Sequence, residues 1–297
     1  MRIAAAAYPL DWFDTWAEFE NKLTRWVAEA AGKGATLLVF PEYGAMELAS
    51  LGGKAVARDM EGSLREVASH KPATDQLHAR LAGEYGVHIL GASGPAYDMP
   101  FANGRPVNRA SLFGPEGLLG HQDKAMMTRF ERDGWDVVGG EGLAVFKTAI
   151  GTMGVNICYD SEFPLLARAQ AEAGVEIILV PSATEALAGF TRVRVGAMAR
   201  ALENQCIAVH APVVGAAPWC VGMEENTGRA SIYGPPDHGF PPTGILAEGA
   251  LGEPGWVYAD VSLDAVKAVR ADGGVLNYSH WNEQHARVAN VTFVGKS

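Results

Sequence analysis

Gly154-Val-Asn-Ile-Cys158-Tyr-Asp-Ser-Glu-Phe-Pro164-Leu-Leu-Ala-Arg-Ala-Gln-Ala-Glu-Ala-Gly174-Val-Glu-Ile-Ile-Leu-Val180 reads as strand, helix, strand. Val155–Cys158 is a short strand, Phe163–Ala173 has helical spacing, and Val175–Val180 is strand again. Working outward, the same rhythm recurs. Ile3–Tyr8 is a compact apolar run ending at Pro9. Residues 14–31 place Trp16, Phe19, Leu23, Trp26, Val27 and Ala30 near one helical face, with Gly32 and Gly34 as the stop. Ala35–Phe40 is an apolar strand closed by Pro41. A helix is predicted over 72–85, before Gly86, then a strand over Val87–Ala92. Between 106 and 149 the pattern changes to strands at Asn108–Phe113, Leu118–Asp123 and Leu143–Thr148, broken by Gly-containing turns. Downstream, a helix at 190–204 precedes a strand at Cys206–Val214, a loop-rich stretch to 255 and a last strand at Trp256–Val261. No boundary interrupts this alternation, which predicts one α/β domain over 1–297 with buried sheets covered by helices.

Three strand ends carry residues suited to chemistry. In Phe40-Pro-Glu42-Tyr43 a carboxylate follows a buried strand, where burial can raise its pKa toward that of a useful base. Taken alone, a solvated turn glutamate fits as well. In His121-Gln-Asp-Lys124-Ala-Met-Met-Thr-Arg-Phe-Glu131 an ammonium at a strand end could oppose a developing oxyanion, although a lone lysine is more often a surface residue. Cys158 sits at a strand-to-helix elbow, where free backbone N–H groups converge and favour a thiolate. A small buried hydrophobe is the alternative for it. Cys206, inside Gln205-Cys-Ile-Ala-Val209, and Cys220, beside Trp219, read as packing.

The bulk composition narrows the classes. With 24 Lys+Arg against 34 Asp+Glu the net charge is −10, which disfavours nucleic-acid or anionic-membrane partners. Three cysteines do not make a disulfide framework and fit a reducing compartment, the cytoplasm. No CxxC or HExxH supports a zinc site, and no apolar run is long enough to cross a bilayer. Pro9-Leu-Asp-Trp-Phe-Asp-Thr15 has no glycine, against the phosphate loop of a flavodoxin-like binding domain.

In this order, the Glu42, Lys124 and Cys158 segments resemble the nitrilase superfamily of carbon–nitrogen hydrolases, along the chain from Ile3 to about residue 280. The stretch Ala199-Arg-Ala-Leu-Glu-Asn-Gln205 is similar to a helix end that recurs there. The resemblance implies an α-β-β-α sandwich, four-layered once dimerised, each subunit stacking two sheets with helices on the outer faces. It implies Glu42 as general base, Lys124 as oxyanion-stabilising cation, Cys158 as nucleophile, and Glu131 as a second glutamate holding the lysine and substrate. The Tyr159 backbone N–H is expected to share the oxyanion. The implied reaction is hydrolysis of a small amide through a Cys158 thioester, with no metal or organic cofactor. A homodimer or higher even oligomer is expected to bury the 163–173 helix through Phe163, Leu165, Leu166 and Ala169.

Tyr159-Asp160 after the cysteine resembles amidase branches, whereas nitrile-cleaving members tend to have Trp-Glu. Nitrilase, N-carbamoyl hydrolase, acyl transfer and a catalytically silent binding protein on the same fold are the alternatives. The chain departs from the family at Leu165, where a glutamate is common after the proline. Glu162 has two readings. It complements a helix dipole if a helix begins near Asp160 or Ser161, or it faces the pocket and favours neutral or amine-bearing amides over carboxylate-ended ones.

Overall fold

In the computed structural model, which describes residues 1–295, the chain runs β1 (Arg2–Pro9), α1 (Trp16–Gly32), β2 (Leu37–Val39), α2 (Gly53–Ala57), α3 (Met60–Tyr85), β3 (His88–Leu90), β4 (Gly94–Ala96), β5 (Val107–Gly114), β6 (Gly117–Asp123) and α4 (Arg129–Asp133). It continues through β7 (Phe146–Thr148), β8 (Gly151–Val155), α5 (Pro164–Glu172), β9 (Ile177–Ser182), α6 (Leu187–Asn204) and β10 (Ile207–Ala216). Four more strands, β11 (Glu225–Asn226), β12 (Ser231–Tyr233), β13 (Ile245–Glu248) and β14 (Gly255–Asp260), precede α7 (Leu263–Asp272) and two short helices, α8 (Asn277–His280) and α9 (His285–Val288).

The strand order is β4-β5-β3-β2-β1-β10-β9-β8-β7. β1 is the seam. Its residues Ile3–Ala5 pair in parallel with β2, while Tyr8 and Pro9 pair in parallel with β10. Its other edge takes β14 antiparallel, from Arg2 opposite Asp260 to Ala7 opposite Gly255. Because side chains alternate along a strand, Ile3, Ala5 and Ala7 enter one core and Ala4, Ala6 and Tyr8 another.

The first of those cores lies between the half-sheets, where Val39, Leu90 and Leu112 join Val155, Leu179 and Val209. It continues outward to α5 and α6 through Ala167, Val193 and Ala197. The second packs α1 and α3, through Phe19, Leu23, Leu64 and Leu81, on Leu38, Ile89 and Phe113. The layers are therefore α-β-β-α, all from one chain. Each large aliphatic side chain removed from water here contributes roughly 1.5–3 kcal/mol before conformational entropy is counted.

Several sequence expectations are corrected. α3 starts at Met60, well ahead of the predicted 72, because Asp59 caps it by accepting from the Gly62 N–H at 2.7 Å. Pro72 lies inside that helix, costing one backbone bond without ending it. The predicted strand at Leu143–Thr148 shortens to β7. β8 stops at Val155, so Cys158 does not end a strand. It opens a 3-10 turn, Cys158–Glu162, that precedes α5. The loop-rich stretch before 255 contains β11, β12 and β13. The last two residues of the expected 1–297 domain lie outside the described residues.

Candidate active site

Glu42, Lys124 and Cys158 each follow a strand, at the same edge of the stacked sheets. Glu42 comes just after β2, Lys124 immediately after β6, and Cys158 shortly after β8. Glu131 comes from α4, where Thr128 and Glu131 cap each other reciprocally. The four meet on the floor of a cavity of about 650 Å³, with Tyr43 and Trp135 as walls. A void of about 30 Å³ beneath α3, lined by Lys71, His78 and Arg109, shares no residue with it.

The Lys124 ammonium donates to Glu42 Oε1 and to Glu131 Oε2, both at 2.7 Å. Glu42 Oε1 also accepts from Asn108 Nδ2 at 3.0 Å, and Oε2 from the Ala183 N–H at 2.8 Å. Glu131 Oε1 accepts from the Tyr43 hydroxyl at 3.0 Å, and Oε2 from the Thr128 N–H and hydroxyl at 2.9 and 2.8 Å. Ser93 orients the Asn108 amide, donating to its oxygen at 2.6 Å. The Cys158 thiol points at the Ala183 carbonyl, 3.7 Å away.

Two carboxylates around one ammonium cannot be equivalent. Burial raises Glu42, and the neighbouring Glu131 charge adds to this, against the pull of Lys124. Glu131 is also desolvated, yet Lys124 and the Thr128 donors bring it below the ordinary range. Burial works against the Lys124 charge, and the two carboxylates overcome it and raise its pKa. The pair is thus split into a fixed anion, Glu131, and a carboxylate nearer to proton exchange, Glu42, the pattern that separates acid–base groups from spectators.

The thiol corrects the sequence expectation of a thiolate. Burial, then the Glu42 charge, pushes Cys158 well above its ordinary value, with Lys124 and the Ala183 bond only partly opposing. A thiol raised in this way calls for a neighbouring base to take its proton. Cys158 holds φ +50°, and Tyr43 holds φ +51°. Left-handed backbone at non-glycine residues stores strain and is concentrated at functional sites. Two such residues line this one cavity.

Asp160, 1% exposed, accepts backbone N–H bonds from Met126, Ala125 and Ile157. Burial pushes its carboxyl up to about 7 against Lys124 and those bonds. Tyr159 follows Cys158 in the first turn of the 3-10 segment and lines the same cavity. Gly196 lets α6 approach the Cys158 turn, since a Cβ there would lie 2.8 Å from the Ser161 carbonyl. Arg200 Nη1 donates to that same carbonyl at 2.7 Å.

Glu162 ends the 3-10 turn and lies two residues ahead of α5, so it is not in the first turn of that helix. It lines the cavity, and its carboxylate lies 3.4 Å from Arg192 of α6. Of its two sequence readings, this position matches the pocket-facing one, and the pairing with Arg192 offsets part of its charge. The mouth also carries Glu185, Glu224 and Glu225. Tyr43, Asn108, Ala183 and Arg192 were not singled out from sequence. A signal existed only for Asn108, a polar residue opening an apolar strand. Among the described residues no cluster of three or more His, Cys, Asp or Glu side chains is placed to hold a metal ion, and no helix is long and apolar enough to cross a membrane.

A family model described as carbon-nitrogen hydrolase matches residues 2–271. The chain is 31% identical over 275 residues to the probable hydrolase YhcX of Bacillus subtilis, covering 93% of this chain and 52% of that protein, about half its length. It is 28% identical to the omega-amidase NIT2 of Danio rerio, over 82% of each. The crystal structure of Saccharomyces cerevisiae Nit3, from branch 10 of the nitrilase superfamily, superposes with a TM-score of 0.71 at 20% identity, covering 91% of this chain and 93% of that one. That last likeness speaks for the fold.

Proposed function

The chain belongs to the carbon–nitrogen hydrolase family, and from that premise we propose that it is an amidase acting on small amides through a Cys158 thioester. One observation carries the reading: Glu42, Lys124 with Glu131, and Cys158, from three separate segments, meet on one cavity floor with the two carboxylates pushed apart around the ammonium. The likeness to an omega-amidase over 82% of each chain is consistent with amide chemistry.

Glu42 takes the thiol proton as Cys158 Sγ bonds to the amide carbon and the C=O electron pair moves onto oxygen. Lys124 and the Tyr159 N–H stabilise that oxyanion. Collapse breaks the C–N bond, and the proton on Glu42 leaves with the amine or ammonia. Water then gives a proton to Glu42 and attacks the thioester, and the thiol leaves with that proton. Glu131 stays ionised throughout and keeps Lys124 charged and aimed. A base with a raised pKa suits this shuttle better than an ordinary glutamate.

At the mouth, Glu162, Glu185, Glu224 and Glu225 outnumber Arg192. The acidic excess favours neutral or amine-bearing substrates over carboxylate-ended ones. Assembly as a homodimer through α5 fits Leu165, which is 71% exposed; light scattering showing a monomer at micromolar concentration contradicts it. Three unpaired cysteines fit a reducing compartment such as the cytoplasm. The direct test is ammonia release from a panel of small ω-amides, N-carbamoyl compounds and nitriles, with intact-mass detection of an acyl adduct on Cys158. Release from amides with that adduct supports the reading. Release only from nitriles, or no adduct in any active reaction, overturns it.

A further inference from the structure

Lys124 and Cys158 belong to different layers of the sandwich. Lys124 follows β6, which is paired to β5 in the first half-sheet, and its own N–H donates to the Asn108 carbonyl at 2.8 Å. Cys158 follows β8 in the second half-sheet, where the Asn156 N–H donates to the Leu179 carbonyl at 2.9 Å. Arg200 of α6 holds the far end of the cysteine turn. These anchors fix each turn to its own layer and leave the two layers unlinked at this point.

Asp160 supplies the link. Its Oδ1 accepts from the Met126 N–H at 2.7 Å and the Ala125 N–H at 3.1 Å. Its Oδ2 accepts from the Ile157 N–H at 3.0 Å, with Ala125 again at 3.3 Å. One carboxylate thus grips the two residues after Lys124 and the residue before Cys158. We propose that Asp160 is a positioning residue that sets the Lys124 ammonium against the Cys158 sulfur by tying the two turns together across the seam between the sheets, a role whose catalytic meaning rests on the function proposed above. The Glu42–Ala183 bond also crosses the seam, but it places Glu42 against β9 and leaves the lysine turn free.

The chemistry of the group is specific to the task. Three N–H donors converge on it, so the link needs the ionised carboxylate, which accepts at both ends; because burial pushes that carboxyl up to about 7, both rates below are read well above neutral pH. Asparagine has one accepting oxygen, and its amide would set N–H against N–H on the other side. Asp160→Asn therefore releases either the lysine turn or the cysteine turn. Asp160→Glu keeps the charge but displaces it by one methylene in a site 1% exposed.

The experiment measures two rates for wild type and both variants. One is turnover of an amide found by the panel. The other is alkylation of Cys158 by iodoacetamide at fixed pH, read by mass. Expected is a fall in kcat on the order of 10- to 100-fold in both variants, as for about 1 Å of misplacement. KM should stay within about two-fold, circular dichroism should be unchanged, and alkylation should be several-fold slower as Lys124 moves off the thiol. Rates within two-fold of wild type in Asp160→Asn overturn the proposal. So does full activity in Asp160→Glu alone, which would make charge and not position the cause, or failure of both variants to fold, which would make Asp160 a folding determinant. The alkylation arm needs no substrate. Slowed alkylation with a silent amide panel breaks the amidase reading and leaves this one standing.

Discussion

On the floor of the cavity Glu42, Lys124 and Glu131 are only 1–4% exposed, whereas on its rim Arg192 is 62% exposed and Glu162 21%. Both sets join a cation to carboxylates, a lysine between two glutamates on the floor and an arginine beside one on the rim, yet their physics differs. Inside, charges act at low effective dielectric, and removing one partner strands another in a medium that cannot solvate it. Outside, water and salt screen the pair, which is worth about 1 kcal/mol or less. The floor therefore governs whether a reaction occurs, and the rim can only bias which molecule arrives.

Substitutions along that gradient should have graded effects. Cys158→Ala should abolish ammonia release with the fold intact by circular dichroism; comparable turnover in that variant removes the mechanism. Glu42→Gln should lower kcat on the order of 10²-fold or more. The same change removes the group that takes the thiol proton, while burial still holds the thiol up, so iodoacetamide should not label Cys158 faster than in wild type. Near-normal kcat in that variant would count against Glu42 as a base. Lys124→Ala should lose activity too, and should also destabilise by about 3–5 kcal/mol in denaturant melts, because Glu42 and Glu131 are left buried without their counter-ion.

A pH profile sharpens the same contrast. Glu42 must be ionised to accept the proton, and its pKa in the folded chain is raised. Activity should therefore fall as pH drops through a value above the ordinary glutamate pKa of about 4.3. An acid limb at or below that value would place the base elsewhere. At the rim, Glu162→Gln should shift the preference between matched amine-ended and carboxylate-ended amides by about five-fold or less. A wild-type preference for the carboxylate-ended amide, unchanged in the variant, ends the rim argument and leaves the floor untouched. Cys206→Ala should keep full activity, since that thiol is buried in the core near the Arg200 carbonyl.

The same gradient governs what could be read from sequence. Apolar runs such as Ile3–Tyr8 and Val175–Val180 identify their strands because burial demands them, and the residues ending those runs fall at one sheet edge. Glu42 stands out for that reason, whereas Lys124 follows a half-exposed strand and β8 stops short of Cys158, so those two are legible mainly through the resemblance. Glu131 was placed only by resemblance, because a glutamate on a one-turn helix has no pattern of its own. The early start of α3 was hidden by Pro72, which reads as a first-turn residue although Asp59 caps the helix upstream. The Glu162–Arg192 pair was invisible because the partners come from separate elements and no periodicity links them. The need for a base at the thiol follows from a glutamate beside a cysteine, but the burial that contributes most to raising the thiol has no mark in the sequence.

The seam strand has a consequence for how the chain reaches this state. β1 carries both half-sheets, and Arg2 meets Asp260, 258 positions away. Such closures must meet their entropy cost before any contact rewards it, and folding slows as the mean separation of contacts grows. Until β14 docks, the β1 edge over Arg2–Ala7 displays an unpaired backbone beside alanine side chains too small to shield it. An unguarded edge of that kind is a template for another chain. Refolding yield should therefore fall with protein concentration, and substitutions in Gly255–Asp260 should lower yield more than they lower the melting temperature of molecules already folded.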